Sequence, residues 1–489
     1  MIKRIFLGLL VLLAIGAGVL YRILPPFNMP LATFRGGIDV DAETLNRKIE
    51  TPAGFRFTQF ATGLRGARSL RATPAGDVLL SVPKAGEVVL LGRDADGNGQ
   101  SDDRKVLLRD LDSPNGLELA NGWLYVAEAS AIGRVLFDAQ TRETKGTYSR
   151  IVTGLPGDGN HTRKTLRMGP DGWLYFNVGS SCNVCVEKDA RRGTLMRVSP
   201  DGSRSEIHAT GLRNSMGFDW SPRDGALYAT ENARDLLGDD FPPEELNRIE
   251  PGKFYGWPYV NARGDADPDF GKQLPQGTVA TNPVHTFAAH NAPLGMVFLR
   301  SGAYPPEFHH NALVALHGSW NRSKKDGYKV VRLSWDTGGN ITQRDFMTGF
   351  LINDNVIGRP VDIVEAPDGS IYVSDDFNGS VYRLAYGEAG QSARLPATAP
   401  ESVQRTLRPT LSAEMERKGQ ELLSQNDCET CHGESATLAK TLVPLKDLAT
   451  RYDQGSLVAL FKAPPSSMPP VPLGNAELEL LADFLLATR

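Results

Sequence analysis

The chain has 489 residues, 41% of them hydrophobic and 22% charged, which is the make-up of a globular protein too long for one ordinary core, so two or more domains are expected. Its 50 glycines and 32 prolines favour the many turns that short antiparallel strands require, which points to an all-β body. A formal net charge of -4, with no Lys/Arg cluster interleaved with aromatic residues, excludes nucleic acid as an expected partner.

The chain opens Met1-Ile2-Lys3-Arg4 and then runs from Ile5 to Tyr21 without a charge, a length at the lower edge of a bilayer-spanning helix. The two basic residues ahead of that run would keep the N-terminus in the cytoplasm and send the rest outward. Residues 1–24 are predicted as a membrane anchor. The alternative is a signal sequence cleaved near Ala14, Gly16, Ala17 and Gly18, although no clear A-x-A site precedes a polar start. Both place the body on the periplasmic side of the membrane, where disulfides are permitted. A tether follows over 25–49, with Pro25, Pro26 and Pro30.

From about residue 50 to 388 a unit recurs in which a Gly-containing turn feeds a strand of β-branched or aromatic residues. Its clearest copies are "NGWLYVAEA" around Leu124-Tyr125, "PDGWLYFNV" around Leu174-Tyr175, "RDGALYATE" around Leu227-Tyr228 and "PDGSIYVSD" around Ile371-Tyr372. Two weaker copies, "PAGDVLLSV" with "GEVVLL" and "NALVALHGSW" with "YKVVRL", bring the number to six. Unequal spacing between copies fits blades with unequal loop insertions, so a six-bladed β-propeller with a ligand-sized mouth at its axis is predicted. A β-sandwich with long loops is the alternative.

Residues 389–410 lose the strand pattern and turn Ala/Ser/Pro-rich, as a linker does. The tail, 411–489, reads as all-α, with one helix from an N-cap at Ser412 to Gln425 and a second in "NAELELLADFLLATR". Between them stands Cys428-Glu429-Thr430-Cys431-His432, the C-x-x-C-H pattern in which two thiols bind a haem and the adjacent imidazole ligates its iron. Met468, in a Pro-stiffened loop, is the candidate sixth ligand. Gly419 allows a close helix crossing and Phe484 sits on the helix that would cross there. On these residues the tail resembles a class I cytochrome c domain.

A haem fused to a propeller needs a redox partner, and no G-x-G-x-x-G enters a helix to hold a dinucleotide. The segments "GNHTRKTLRMGPDGWLYFNVGSSCNVC", "GLRNSMGFDW", "ATENARDLLGDD", "HGSWNR" and "GRPVD" together resemble the soluble glucose, pyranose and sorbosone dehydrogenases that depend on pyrroloquinoline quinone (PQQ), over most of 50–388. The resemblance implies Arg213 and Asn214 on the quinone and Arg322 and Arg359 on the PQQ carboxylates, which guanidinium forks suit. It makes His161 the general base, since Asn160-His161 keeps the family's spacing before Gly169-Pro170-Asp171-Gly172. It also implies a calcium ion held partly by the carbonyls of Asn232 and Ala233, with Asp239, Asp240 and Glu245 either binding a further ion or solvating their loop. One departure stands out: Ser180 occupies the place where the glucose-specific members carry an aspartate to orient the base, so the sorbosone and fungal pyranose members are the nearer resemblance.

Two further patterns stand on their own residues. "DADGNGQSDD", Asp94 to Asp103, spaces oxygen ligands like the start of an EF-hand loop, with Asp94, Asp96, Asn98 and Asp102 or Asp103 as candidate ligands of a structural calcium, though it lacks the closing glutamate. Cys182 and Cys185 form a second C-x-x-C without a following histidine, read as a short structural disulfide with a possible part in shaping the site. The expected protein is a quinohaemoprotein: a PQQ-dependent dehydrogenase of a sugar or hydroxyaldehyde, containing PQQ, haem c and calcium, and passing electrons through its own haem to an external cytochrome, quinone or oxidase. The rival readings are a calcium-dependent lactonase-like hydrolase, which would line the axis with carboxylate and asparagine ligands, and a non-catalytic electron-transfer propeller.

Overall fold

The computed structural model describes residues 37–387, 411–426, 428, 445, 448, 454–462, 464 and 471–488. Two compact units divide the chain, Met1–Ser392 and Ala393–Arg489.

In the first unit each of the six repeats forms a four-stranded antiparallel sheet. The turns predicted from Gly-containing tetrads join the first strand to the second in five of the six sheets, as in Leu166–Met168 to Leu174–Val178 and Pro360–Glu365 to Ile371–Asp375, whereas in the fifth sheet the longer segment 299–311 makes this connection. In the last of these turns Gly369 adopts φ +79°, which glycine reaches without a Cβ penalty. Second strands are the most apolar and the most buried, with every residue of Val78–Val82, Leu174–Val178 and Ala312–Leu316 buried. Fourth strands face solvent on one side, and Glu143–Val152 shows it in its run of charged and polar residues. First strands pack against the first strands of neighbouring sheets and so ring the axis. Between the third and fourth sheets Thr165 Oγ1 donates to the Met216 carbonyl.

Ring closure is made by the N-terminal end of the unit. Strand Phe55–Ala61 pairs with Ser380–Tyr386, from Phe55 opposite Tyr386 to Ala61 opposite Val381, and so becomes the outer strand of a sheet whose other three strands come from the far end of the chain. Phe55 is 7% exposed and meets Tyr304, Phe308, Phe346 and Tyr386 with ring centroids 5.0 to 5.9 Å apart. The loop carrying Asp94 clips the same seam from the next sheet: Thr58 Oγ1 donates to the Gly99 carbonyl at 2.9 Å, Ser101 N to the Phe60 carbonyl at 2.8 Å, and Arg383 pairs with Asp94 at 3.0 Å.

The second unit contains helices Ala413–Gln425, Gln454–Lys462 and Asn475–Thr488. The Ser412 hydroxyl accepts from Met415 N, the expected N-cap. Gly419 and Phe484 meet as expected: a Cβ at 419 would lie 2.3 Å from Phe484 Cγ, so only glycine lets the first and last helices come this close. Leu422, Leu423, Leu457, Phe461, Leu478 and Leu485 fill the core around them, with Cys428 half-buried against it. Cys431, His432 and Met468 lie outside the described residues, as does segment 1–24. No helix among the described residues is long and apolar enough to cross a membrane.

Because Phe55 fills the closing seam, Phe55→Ala is expected to destabilise the propeller by about 3–5 kcal/mol, the usual cost of truncating a buried Phe. Urea unfolding followed by tryptophan fluorescence measures this, and a shift below about 1 kcal/mol would show that the seam does not depend on this ring.

Candidate active site

In sheets whose strands alternate in direction from the axis outward, the loops entering each first strand and those joining second to third strands emerge on one face. That face collects 153–165, 211–217, 288–292, 317–328, 357–359 and 376–379, together with 179–193 and 232–243. It therefore carries every residue that the resemblance assigned to the quinone or its calcium: His161, Arg213, Asn214, Asn232, Ala233, Arg322 and Arg359. Beneath it the axis holds a cavity of about 10 Å³ lined by Ser69, Asn115, Thr165, Met216, Leu294 and Asp362, room for roughly one water.

The His161 loop is anchored by a fully buried ammonium. Lys164 Nζ donates to the carbonyls of Ala129, Pro156 and Thr162, and burial pulls its pKa down to about 8. The imidazole itself is oriented by Ser180, with Nδ1 lying 3.0 Å from the Ser180 carbonyl and 2.8 Å from its hydroxyl. A carbonyl only accepts, so Nδ1 carries the hydrogen. The hydroxyl donates to the Cys182 carbonyl at 2.8 Å, which turns its lone pair toward the ring. Nε2 is left as the basic nitrogen. Burial, reinforced by Arg213 and Arg192, pushes the imidazole down to about 3, so it is neutral across the physiological range. Asn214 flanks the same spot: a Cβ on Gly179 would fall 2.4 Å from His161 Cβ and 3.0 Å from Asn214 Oδ1. That Oδ1 is buried without a hydrogen-bond partner.

The three expected arginines fare differently. Arg213 is 4% exposed and already engaged by Asn183 O, Asn183 Oδ1, Asn232 O and Asp235, so it acts as a strut between loops. Arg322 is likewise held by Asp239 O, Ala289 O and the Asp240 carboxylate. Arg359 keeps 38% of its side chain exposed and spends its Nε and Nη2 on Asp376.

Sequence reasoning missed the group around that carboxylate. Asp376 accepts from Arg68 at 2.9 Å, from Arg359 at 3.1 Å and lies 3.1 Å from His317 Nε2. His317 and these guanidiniums hold its pKa far below the usual range despite its burial. Arg163 faces the same charges, and burial together with Arg68 lowers its own pKa. Its Nε is buried with no partner. Arg68 and Arg359 thus share one carboxylate, and Arg163 lies close enough to feel its charge, which leaves guanidinium in surplus. Arg163 stood in the quoted segment with His161, but only burial separates it from a solvated arginine. Asn321, in "HGSWNR", is the other omission: both its amide atoms are buried and unpartnered.

The carbonyl of Asn232, expected to face an ion, accepts from Arg213 at 3.1 Å, and Ala233 N donates to Glu244 at 2.6 Å. Burial raises Glu231 to about 7 and Glu244 and Glu245 to about 8, so these acids hold protons near neutral pH, a state a bound cation would reverse. Asp239 and Asp240 brace the 317–328 loop, while Glu245 is buried and accepts from Asn247. On the opposite face Asp94, Asp96 and Asp102 bring carboxylate oxygens within 4.8 Å of one another. Asp94 Oδ1 is buried and unpartnered there, whereas the Asn98 side chain bonds to Asp96 and to Gln100 N. The expected short disulfide is present between Cys182 and Cys185.

Comparison with known proteins agrees with this architecture. A Coprinopsis cinerea pyrroloquinoline quinone-dependent pyranose dehydrogenase is 25% identical over 67% of this chain, which spans about half (53%) of that relative's length. A pyrroloquinoline quinone-dependent sugar dehydrogenase of Hypocrea jecorina is 23% identical over 70% of this chain and 91% of its own, and an uncharacterized Borreliella burgdorferi protein is 28% identical over 71% and 94%. Among solved structures, the calcium structure of the Trichoderma reesei family AA12 enzyme superposes with a TM-score of 0.60 at 21% identity, covering 70% of this chain and 97% of that one. The holo PQQ domain of the Coprinopsis cinerea pyranose dehydrogenase gives 0.58 at 22% identity, covering 69% and 96%. A family model described as TrAA12-like matches residues 49–387, and the chain belongs to that family.

Proposed function

We propose that the chain is an oxidoreductase that uses PQQ to oxidise a sugar or hydroxyaldehyde at the propeller mouth. The observation that carries this reading is the surplus of guanidinium around Asp376. Arg68 and Arg359 share its one carboxylate, and Arg163 beside them has no acceptor for its Nε. A ligand with several carboxylates, as PQQ has, supplies what those donors lack. Bound there, PQQ supplies the two-electron acceptor for hydride. His161 Nε2 takes the substrate hydroxyl proton, and the unpaired Asn214 Oδ1 beside it accepts a hydrogen bond from whatever donor occupies the site. Arg213 and Arg322 shape the site by holding its loops. A hydrolase reading would need carboxylate ligands at the axis, where Asp362 is the single acid among the described residues lining the cavity.

The remaining parts of the reading follow from residues already placed. Asn232 and Ala233 would hold the calcium of the mouth once Arg213 yields the carbonyl. Asp94, Asp96 and Asn98 would hold a structural ion at the seam, with the orphaned Asp94 oxygen as its first ligand. Cys428 and Cys431 would hold a haem covalently, with His432 and Met468 as ligands of its iron, and such a haem would supply one-electron transfer to an external cytochrome, quinone or oxidase. Export, with segment 1–24 as anchor or cleaved signal, fits the disulfide.

The test is to supply the protein with PQQ and calcium and follow reduction of a dye by a panel of sugars. His161→Ala should still bind PQQ but turn over about a hundredfold more slowly. With its pKa pushed down to about 3, the ring accepts a proton throughout the range from about pH 5 to 8 in which a free imidazole loses that capacity. The rate should accordingly show no acid-side fall centred near 6.5. Near wild-type turnover in His161→Ala, or a fall centred near 6.5, would remove His161 from this role.

Arg359→Ala should weaken PQQ binding about tenfold, the scale of one charge-assisted hydrogen bond, with little loss of stability because the side chain is partly exposed. Equilibrium titration with PQQ reads this directly, and an unchanged curve places Arg359 outside the site.

The tail is checked by haem staining after denaturing electrophoresis. The stain should persist in the wild type and vanish in Cys428→Ser/Cys431→Ser, and an unstained wild-type band from a haem-maturing host would refute the covalent haem.

A further inference from the structure

We propose that the Cys182–Cys185 disulfide and Asn183 form a positioning bridge that locks the Ser180 hydroxyl against His161 Nδ1 and joins this clamp to Arg213. The disulfide spans a sequence separation of 3, too short a loop to stabilise the fold much by restricting the unfolded chain. What its ring presents is a set of polar groups, and each of them is used. The Cys182 carbonyl accepts the Ser180 hydroxyl at 2.8 Å, the bond that turns the hydroxyl lone pair toward His161 Nδ1. The Asn183 carbonyl accepts Arg213 Nε at 2.8 Å, and its side-chain Oδ1 accepts both Arg213 Nη2 at 3.0 Å and Asp235 N at 2.8 Å. Asn183 Nδ2 returns a bond to the Asp235 carbonyl at 3.1 Å. One residue inside the disulfide ring thus ties the loop at 179–193, which holds the base, to the loop at 232–243 and to Arg213 in the loop between them.

The stem of the ring is fixed from the other side. Ser181 N and Oγ donate to Glu187 at 2.6 and 2.8 Å, so the loop is folded back on itself over the six residues around the disulfide. Without the S–S bond, the Cys182 carbonyl would be free to turn away and the Ser180 hydroxyl would regain its rotation, so that it no longer accepts from Nδ1. The Ser180 carbonyl still accepts there and keeps the hydrogen on Nδ1, but the ring loses one of the two bonds that aim Nε2. Neither cysteine touches substrate on this account. Both, with Asn183, act through Ser180 and Arg213.

The inference rests on the dehydrogenase reading for its consequence in turnover, but not for its structural content, so two readouts are needed. Full-length protein is prepared as wild type, Cys182→Ser/Cys185→Ser and Asn183→Ala, the last keeping the disulfide in case the first does not fold. Nitrogen-15 spectra of labelled histidines, with the His161 signals assigned by their loss in His161→Gln, report the Nδ1–H hydrogen bond without any cofactor. The wild type should show a protonated Nδ1 whose hydrogen is slow to exchange with water, and in both variants that exchange should be about tenfold faster, the scale of one lost hydrogen bond. Sugar turnover with PQQ should fall about tenfold or more in kcat with KM within about twofold, the pattern of a misplaced base. An Nδ1–H exchange rate unchanged in the variants that fold would overturn the bridge. A faster exchange in a protein that oxidises no sugar would uphold the bridge and refute the dehydrogenase reading.

Discussion

Everything at the mouth depends on the pairing of Phe55–Ala61 with Ser380–Tyr386. Six sheets arranged about an axis leave open edges unless the first and last are joined, and an open edge strand is exposed to pairing with other chains. Taking the outer strand of the last sheet from the start of the unit turns an open fan into a closed ring, with the Phe55 cluster and the Asp94 loop fastening both sides of the seam. Once the ring is closed, the six loops that enter the first strands can no longer spread apart. Residues more than two hundred positions apart in the chain, such as Arg68 and Asp376, are then held within hydrogen-bonding distance.

Closure also explains why so many polar groups are buried at one end. The first strands are short, three residues in Leu70–Ala72, Leu166–Met168 and Phe218–Trp220, and the loops that feed them turn inward toward a narrow axis. Their backbone and side-chain groups must find partners among themselves. Most do: Lys164 with three carbonyls, Arg213 with Asn183 and Asp235, Glu231 with Asn214 N and Ser215. Exceptions at this end include Asn214, Arg163, Asn291 and Asn321, while others, Asp94 Oδ1 among them, lie elsewhere in the ring. A closed, rigid mouth with a few unsatisfied donors and acceptors is the arrangement expected of a binding site formed before its ligand arrives.

The replacement of an orienting carboxylate by Ser180 is less of a change than the residue types suggest. A carboxylate fixes a histidine by accepting from Nδ1 and by favouring the charged ring. Here the Ser180 carbonyl and hydroxyl accept from Nδ1 as well, but neither carries charge. The orientation is retained and the electrostatic support is not, which is why burial, with help from Arg213 and Arg192, drives His161 so far down.

The sequence by itself determined the six units, because five of them repeat a Gly turn before a buried strand and the remaining one keeps the buried strand, Ala312–Leu316. It also determined the helix from Ser412 to Gln425, the Gly419–Phe484 crossing and the short disulfide, all of which rest on neighbouring or sterically unique residues. His161, Asn214 and Arg359 could be named as candidates because their loops carry motifs. The tertiary structure alone decided which arginines are occupied. Arg213 and Arg322 look like ligand-binding residues in sequence, but loops from other blades supply acceptors that consume their donors. Arg163 looks like a surface residue, but it is half-buried near Arg68 and Asp376 with no acceptor for its Nε. A guanidinium's role depends on the acceptors within about 3 Å, and in a closed ring those come from chain segments that no local pattern connects.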